Sequence, residues 1–266
     1  MRILKYRAGS YIICLLMVIT LVTSCKKGGV PRTITSYQDG FENAAEITDL
    51  LAVDDSRWSG FQQESPSLGN LIEIDTLIFH SDSSSLKITA EASTKKFVSK
   101  ADVYKEGLNF KKGETIYFSA WYYIVGNENI ESLFLFDLEE SRVKGADPGI
   151  RLMMSGGNDF LSVERGKFNQ STISQPADSK IAFPRDQWVH VELELLLSQK
   201  EEGSIKLWQD NTLIIDEADV QTLPKDFLVF IHGTTGTYDR MQVGVTANTK
   251  NVDLLMYVDD VEIRLK

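Results

Sequence analysis

The chain has 266 residues, with 28 basic and 38 acidic side chains and a formal net charge of −10 at pH 7. A surface this acidic repels nucleic acid and anionic lipid as a whole, so the composition argues against nucleic acid as a partner. Cysteine occurs only at positions 14 and 25, and no P-loop, G-x-G-x-x-G or H-E-x-x-H motif occurs, which argues against nucleotide and zinc chemistry.

The first residues have the order of a bacterial export signal. Arg2, Lys5 and Arg7 precede an apolar run over residues 11–23. A helix of this length falls well short of the roughly 30 Å hydrocarbon core of a membrane, so the run is not expected to span it. Residues 21–25 read L-V-T-S-C and resemble the lipobox of bacterial lipoproteins. In such proteins the signal peptide is cut off just before a lipid-modified cysteine.

This resemblance implies a signal peptide over residues 1–24, lipidation of Cys25 and a tether over residues 25–36. Lys26 and Lys27 follow the cysteine, and there is no aspartate of the kind that retains such lipoproteins at the inner membrane. We therefore expect anchoring to the outer membrane of a Gram-negative bacterium, on its surface or its periplasmic side. The alternative is an ordinary secretory signal in which Cys25 has no role.

Short segments with strand-like alternation recur through residues 37–266 and are separated by turn clusters. The pattern predicts one all-β domain, an antiparallel two-sheet β-sandwich of the jelly-roll type. A short helix is predicted near residues 43–52. The predicted strands cover residues 71–79, 85–90, 98–104, 115–125, 132–138, 149–154, 160–165, 227–232, 240–246 and 254–265.

The clearest alternation lies in residues 187–216, which predict a three-stranded meander. Its first strand is apolar on one side, which should face the core, and polar on the other. The apolar side consists of Val189, Val191, Leu193 and Leu195, and the polar side of Trp188, His190, Glu192 and Glu194. A meander cannot bury its apolar side alone, so a second sheet must pack against it.

Several short motifs occur in an order that resembles two related groups of proteins. They are D-G-F-E at 39–42, H-S-D-S-S-S-L-K-I at 80–88, K-G-E-T-I-Y-F-S-A-W-Y at 112–122, W-V-H-V-E-L at 188–193 and Y-V-D-D-V-E-I at 257–263. The order resembles jelly-roll carbohydrate-binding modules and the concanavalin A-like polysaccharide lyases, including the heparin lyase I and alginate lyase types. The resemblance implies a concanavalin A-like jelly roll with a concave sheet that binds a polysaccharide or oligosaccharide.

Aromatic and charged residues on the predicted strands are candidates for a glycan groove in that sheet. Rings can stack on sugar faces, and charged groups can bind hydroxyls or carboxylates. We predict glycan binding by Tyr104, Trp121, Tyr123, Asp137 and Glu139. The alternatives are that the aromatic rings belong to the core and that Asp137 and Glu139, about 7 Å apart along one strand, form an exposed strand end or a glycosidase pair.

Lyase chemistry needs a group that neutralises the uronate carboxylate and a base near the C5 proton of the sugar. We predict Lys100, which shares a strand face with Asp102 and Tyr104, or Arg151 as the neutralising group, and His190 or a tyrosine as the base. The Q-x-H motif of the alginate lyase type does not occur in the chain. The alternative for His190 is a hydrogen-bonded surface residue.

Glu42 near the first strand and Asp259 in the last strand would meet if the terminal strands pair. Their oxygen atoms would suit a structural Ca²⁺ ion, and the alternative is a pair of solvated carboxylates. No other cofactor is expected.

Three functions follow from these observations. The sequence favours an outer-membrane lipoprotein that binds polysaccharide through the concave face of the jelly roll. The alternative is a polysaccharide lyase that cleaves a uronate-containing glycan by β-elimination, and the third is a structural or adhesion lipoprotein. All three have a lipid anchor as their one contact with the membrane.

Overall fold

The computed structural model describes residues 34–51, 56–140, 149–166, 171–224 and 236–266. In these residues the chain forms antiparallel strands and one short 3₁₀-helix, Ile47–Leu50. The predicted all-β sandwich is therefore confirmed. Cys25, the signal peptide, the tether as far as residue 33 and the predicted strand at 227–232 lie outside the described residues.

Most strand bounds agree with the alternation in the sequence. The strand that begins at Lys100 extends beyond its predicted end at residue 104, and the strand that begins at Leu71 ends before its predicted end at residue 79. The strands are β1 (Ser36–Asp39), β2 (Gly60–Glu64), β3 (Leu71–Asp75), β4 (Ser85–Ala90), β5 (Lys100–Lys111), β6 (Thr115–Ile124), β7 (Ser132–Glu139), β8 (Ile150–Ser155), β9 (Phe160–Arg165), β10 (Ser171–Ser174), β11 (Trp188–Leu196), β12 (Gly203–Gln209), β13 (Thr212–Val220), β14 (Thr237–Ala247) and β15 (Leu254–Leu265). The sequence missed β2 and β10, which are short and mostly polar and so show little alternation. The helix predicted near residues 43–52 is reduced to the single 3₁₀ turn.

Two sheets pack face to face. Sheet 1 has the order β13-β12-β11-β6-β15-β4-β3, and β1 also pairs with β15. Sheet 2 has the order β10-β9-β8-β7-β14-β5-β2. The chain passes from sheet 2 to sheet 1 in the turn at residues 112–114, so the consecutive strands β5 and β6 lie in different sheets. The expected pairing of the first and last strands is confirmed, with Tyr37 opposite Ile263.

The core lies between the sheets and is built from the inward side chains of both. In β11 the alternation has the expected sense, because Val191 and Leu193 are fully buried while His190 and Glu192 on the outer side are half-buried. Phe118 of β6 and Phe136 of β7 stack with their ring centroids 4.0 Å apart. Such aromatic pairs contribute about 0.5–1.5 kcal/mol beyond the burial of apolar area, and this pair joins the two sheets.

The predicted meander is confirmed as β11, β12 and β13, and it forms one edge of sheet 1. The residues that the structure describes contain no helix with the length and apolar character needed to cross a membrane. Arg32–Lys266 form one compact unit.

Candidate functional site

The outer face of sheet 2 carries five of the residues predicted from the sequence. Tyr104 on β5 lies opposite Gln242 on β14, Gln242 lies opposite Asp137 on β7, and Asp137 lies opposite Arg151 on β8. Neighbouring strands are about 4.8 Å apart, so these positions form a line across the sheet. The residues that the structure brings together are Lys100, Tyr104, Asp137, Glu139 and Arg151.

Asp137 and Arg151 form a buried ion pair. Arg151 Nε donates a hydrogen bond to Asp137 Oδ1 (2.9 Å), and its Nη1 donates to Glu164 (3.4 Å). The guanidinium carbon lies 3.5 Å from the centroid of the Phe134 ring, and Thr246 Oγ1 donates a second hydrogen bond to Asp137 Oδ1 (2.9 Å). Two carboxylates already match the charge of Arg151, so it is a weaker candidate than Lys100 for neutralising a third. The exposed strand end considered for Asp137 and Glu139 is wrong, because both are buried.

Arg240 on β14 was not found from the sequence. Its guanidinium carbon lies 4.2 Å from the centroid of the Tyr104 ring, and it pairs with Glu139 at 3.8 Å and Glu106 at 4.0 Å. On the other side, a Cβ atom at Gly60 would lie 2.3 Å from the Tyr104 hydroxyl oxygen. Only glycine at this position of β2 lets the Tyr104 ring lie where it does. The alternation of Arg240 and Gln242 along one strand is the sequence signal that points to this face.

Three neighbouring polar side chains on this face have buried oxygen atoms without partners. Asp102 is fully buried and lies between Lys100 and Tyr104 on the same side of β5, opposite Gln62 of β2. Among the described residues, neither carboxylate oxygen of Asp102 and neither Oε1 atom of Gln62 and Gln242 has a hydrogen-bond partner. More than about 90% of buried polar groups in proteins are paired. A group of unpaired ones is a place where water, an ion or a ligand would supply the missing hydrogen bonds.

Burial raises the pKa of Asp102 well above its ordinary range. The nearby cation Lys100 lowers this pKa, Asp137 raises it, Arg240 lowers it and Glu139 raises it, and all four effects are smaller than that of burial. The carboxyl group is therefore held toward its uncharged form, as expected for a carboxylate removed from water without a hydrogen bond. Sequence reasoning placed Asp102 on this strand face but gave it no role.

The other predicted site residues lie on the opposite side of the sandwich. Trp121, Tyr123 and His190 face outward from sheet 1, where Trp121 of β6 lies opposite His190 of β11 and Asp259 of β15. The prediction that Trp121 and Tyr123 share a groove with Tyr104 is wrong, because β6 belongs to sheet 1. For the same reason His190 cannot act on the same sugar as Lys100 or Arg151.

Trp121 is stacked between two imidazole rings. Its ring centroid lies 3.7 Å from that of His80 and 4.7 Å from that of His190, with interplanar angles of 15° and 19°. His190 comes from β11 on one side, and His80 comes from the side of β15, where its Nδ1 lies 2.8 Å from Asp260 Oδ2. Both faces of the Trp121 ring are therefore covered, and a sugar has no face of it on which to stack. Tyr123 packs edge-on against Trp188 and Tyr257.

A cavity of about 700 Å³ opens beside this stack. Asp39, Glu42, Glu262 and the half-buried Tyr117 contribute to its lining, together with the edges of Trp121 and His190. Arg57 is the one lysine or arginine among the described residues that line it. A cavity with this excess of carboxylates does not suit a polyanionic glycan.

Glu42 and Asp259, the predicted calcium ligands, hold the segment at residues 80–84. Glu42 accepts hydrogen bonds from Ser83 and Ser84, and Asp259 accepts them from the backbone N–H groups of His80 (2.8 Å) and Ser81 (3.2 Å). Burial raises the pKa of Asp259 to about 6, although these backbone donors lower it. Within the described ranges no group of three or more His, Cys, Asp or Glu side chains is placed to hold a metal ion, and calcium binding stays a prediction.

Comparisons with known proteins agree with this architecture. The family model described as polysaccharide lyase matches residues 52–262. A comparison with curated proteins gave no match.

Solved structures of lyases have a similar fold at low sequence identity. The endo-β-1,4-glucuronan lyase of the fungus Trichoderma reesei is 14% identical with a TM-score of 0.59, over 79% of this chain and 91% of that one. A variant of alginate lyase Aly36B in complex with an alginate trisaccharide is 14% identical with a TM-score of 0.58, over 87% and 98% of the two chains. The alginate lyase of Aplysia kurodai is 14% identical with a TM-score of 0.56, over 88% and 100%.

Proposed function

Because the chain belongs to the polysaccharide lyase family, we propose that it cleaves a uronate-containing polysaccharide by β-elimination on the outer face of sheet 2. The observation that carries the proposal is the family match, which extends over both sheets. It supports the lyase alternative better than binding without cleavage, which the sequence favoured. The unpaired polar atoms around Asp102 support the choice of face.

β-Elimination breaks the C5–H bond and the C4–O bond of the uronate, and the electrons of the C–H bond form the C4–C5 double bond. The proton leaves to a base, and the departing oxygen takes up a proton. Tyr104 lies on the outer face of sheet 2, and we assign both transfers to its side chain: the ionised phenolic oxygen takes the C5 proton, and the hydroxyl group so formed gives it to the departing oxygen. Arg240 beside the Tyr104 ring holds the orientation of that ring.

Lys100 lies on the same side of β5 as Tyr104 and is the cation that we assign to the substrate carboxylate. It lies two positions beyond Asp102, so the three side chains extend over about 13 Å of one strand. This length is enough to contact a sugar ring and its neighbour. The similar solved structures include proteins named for action on alginate and on glucuronan, and both polymers consist of uronic acids.

The proposal is tested with purified protein and a panel of polysaccharides that includes alginate, glucuronan and neutral glucans. The unsaturated product of a lyase absorbs ultraviolet light, so its formation from a uronate polymer and from no neutral one is the expected result. Tyr104→Phe should lower the rate by about 10²- to 10⁴-fold, the usual contribution of general acid–base catalysis. The matched control is Tyr123→Phe on sheet 1, which should leave the rate as it is.

Two results would count against the proposal. Retardation of the protein in a uronate gel without product would favour a binding module. Full activity of Tyr104→Phe would remove Tyr104 from the reaction.

We also propose that the protein is lipid-anchored through Cys25 at the outer membrane. The order of basic, apolar and L-V-T-S-C segments supports it. Cys25→Ala should abolish labelling by a radioactive fatty acid and release the protein from the membrane fraction. A variant that stayed in that fraction would contradict the proposal.

A further inference from the structure

Asp102 differs from the other carboxylates of the groove in having no partner. Asp137 is bound by Arg151 and Thr246, and Glu164 by Arg151. Asp102 lies deeper than these and is fully buried, yet neither of its oxygen atoms accepts a hydrogen bond from any described residue. An ionised carboxylate in that situation loses its hydration without compensation, which strongly disfavours the charged form.

The side chains around Asp102 carry charges of both signs. The charged groups that face it are Lys100 on its own strand, Arg240 on β14, and Asp137 and Glu139 on β7. Arg240 is already paired with Glu106 and Glu139. Two carboxylates and two cations thus nearly cancel around Asp102.

We infer that Asp102 acts as an uncharged carboxylic acid that donates a hydrogen bond to the carboxylate of the bound uronate. The inference rests on the proposed function and names the group that recognises the acid of the substrate. Lys100 then binds one oxygen of that carboxylate and Asp102 the other. The free Oε1 atoms of Gln62 and Gln242 accept hydrogen bonds from hydroxyl groups of the same sugar.

The hydrogen bond between Asp102 and the substrate carboxylate favours the uncharged form of Asp102. A hydroxyl donor and an ionised acceptor make a short, charge-assisted hydrogen bond of about 2.5–2.7 Å. An ionised Asp102 would instead repel the substrate carboxylate at the same distance. The raised pKa of Asp102 agrees with the acid form, because burial without a hydrogen bond disfavours the charge.

Binding should therefore depend on pH in a defined sense. Below the raised pKa of Asp102 the donor is present and binding is strong. Above it the proton is lost, and the dissociation constant should rise by about tenfold for each pH unit.

The experiment measures binding of an alginate tetrasaccharide and a glucuronan tetrasaccharide by titration calorimetry across pH. Tyr104→Phe serves as the background, so that the ligand is not cleaved. Asp102→Asn, which cannot ionise and keeps an N–H donor, should retain most of the low-pH affinity and lose its pH dependence. Asp102→Ala should bind at least about tenfold more weakly at low pH. The control is Asp259→Asn on sheet 1, which removes another carboxyl group of raised pKa and should leave the pH dependence in place.

Other outcomes separate this inference from the proposed function. If Asp102→Asn binds as weakly as Asp102→Ala, or if binding to the parent protein does not change with pH, Asp102 does not act as an uncharged donor. If binding shows the expected pH dependence but the native protein releases no unsaturated product, the lyase function falls and the role of Asp102 stands. If neither oligosaccharide binds at any pH, both are overturned.

Discussion

On the outer face of sheet 1, Trp121 is stacked against His80 and His190, whereas on the outer face of sheet 2 the buried carboxyl group of Asp102 has no partner among the described residues. Both faces carry aromatic rings, carboxylates and basic groups. On sheet 1 the rings pack against one another, and on sheet 2 several neighbouring polar atoms have no partner among the described residues. This difference is the basis on which we place the proposed site on sheet 2.

The largest change in stability is expected from breaking the ion pair at the centre of sheet 2. Arg151→Met leaves Asp137 buried with only Thr246 as a partner, and loss of one member of a buried pair costs about 3–5 kcal/mol. Urea denaturation measures the free energy of unfolding. The matched control is Lys87→Met on sheet 1, whose pair with Glu73 is partly exposed and should contribute less than about 1 kcal/mol. Equal losses in the two variants would mean that the two faces do not differ in this respect.

Trp121→Ala should have an intermediate effect, confined to stability. Two stacked aromatic pairs are lost, each worth about 0.5–1.5 kcal/mol beyond buried area, so the free energy of unfolding should fall by at least about 1–3 kcal/mol. Lyase activity of the folded variant should stay at the parent level, because the ring lies on the other side of the sandwich. Thermal unfolding and the rate of product formation check the two statements. If Trp121→Ala had normal stability but no activity, Trp121 would belong to the substrate site after all.

Asp102→Asn without ligand is expected to change the stability in the opposite direction. The folded pKa of Asp102 is raised above the unfolded value, so the folded state binds more protons and its stability falls as pH rises from about 4 toward the folded pKa. Removing the ionisable group should remove this loss, and the variant should be more stable than the parent protein at pH 7. A melting curve series from pH 4 to pH 8 measures the difference. A variant less stable than the parent at pH 7 would show that Asp102 contributes to the fold.

The sequence predicted the sandwich because side-chain alternation is a local property. Val191 and Leu193 point inward and His190 points outward whatever the neighbouring strands are. The same rule placed Lys100, Tyr104 and Asp137 on outer faces. It could not tell which sheet each strand joins, since β6 pairs with β11 and β15 and only long-range packing decides that.

The part played by Asp102 could not be predicted for a different reason. A charged residue on a polar strand face is usually exposed, and its burial depends on what lies over the strand. Its missing partners become visible only when Gln62, Gln242 and the rest of the face are in place. Arg240 was missed because its contact with Tyr104 joins strands far apart in the sequence.

The position of β15 in sheet 1 also governs how the chain can fold. This strand lies between β6 and β4 and pairs in addition with β1, so sheet 1 cannot be completed until residues 254–265 have been synthesised. Pairings over such separations in sequence make folding slow. A nascent chain that lacks residues 254–265 has the edges of β4 and β6 unpaired, and unpaired strand edges favour aggregation. Deletion of this strand is therefore expected to yield an insoluble protein.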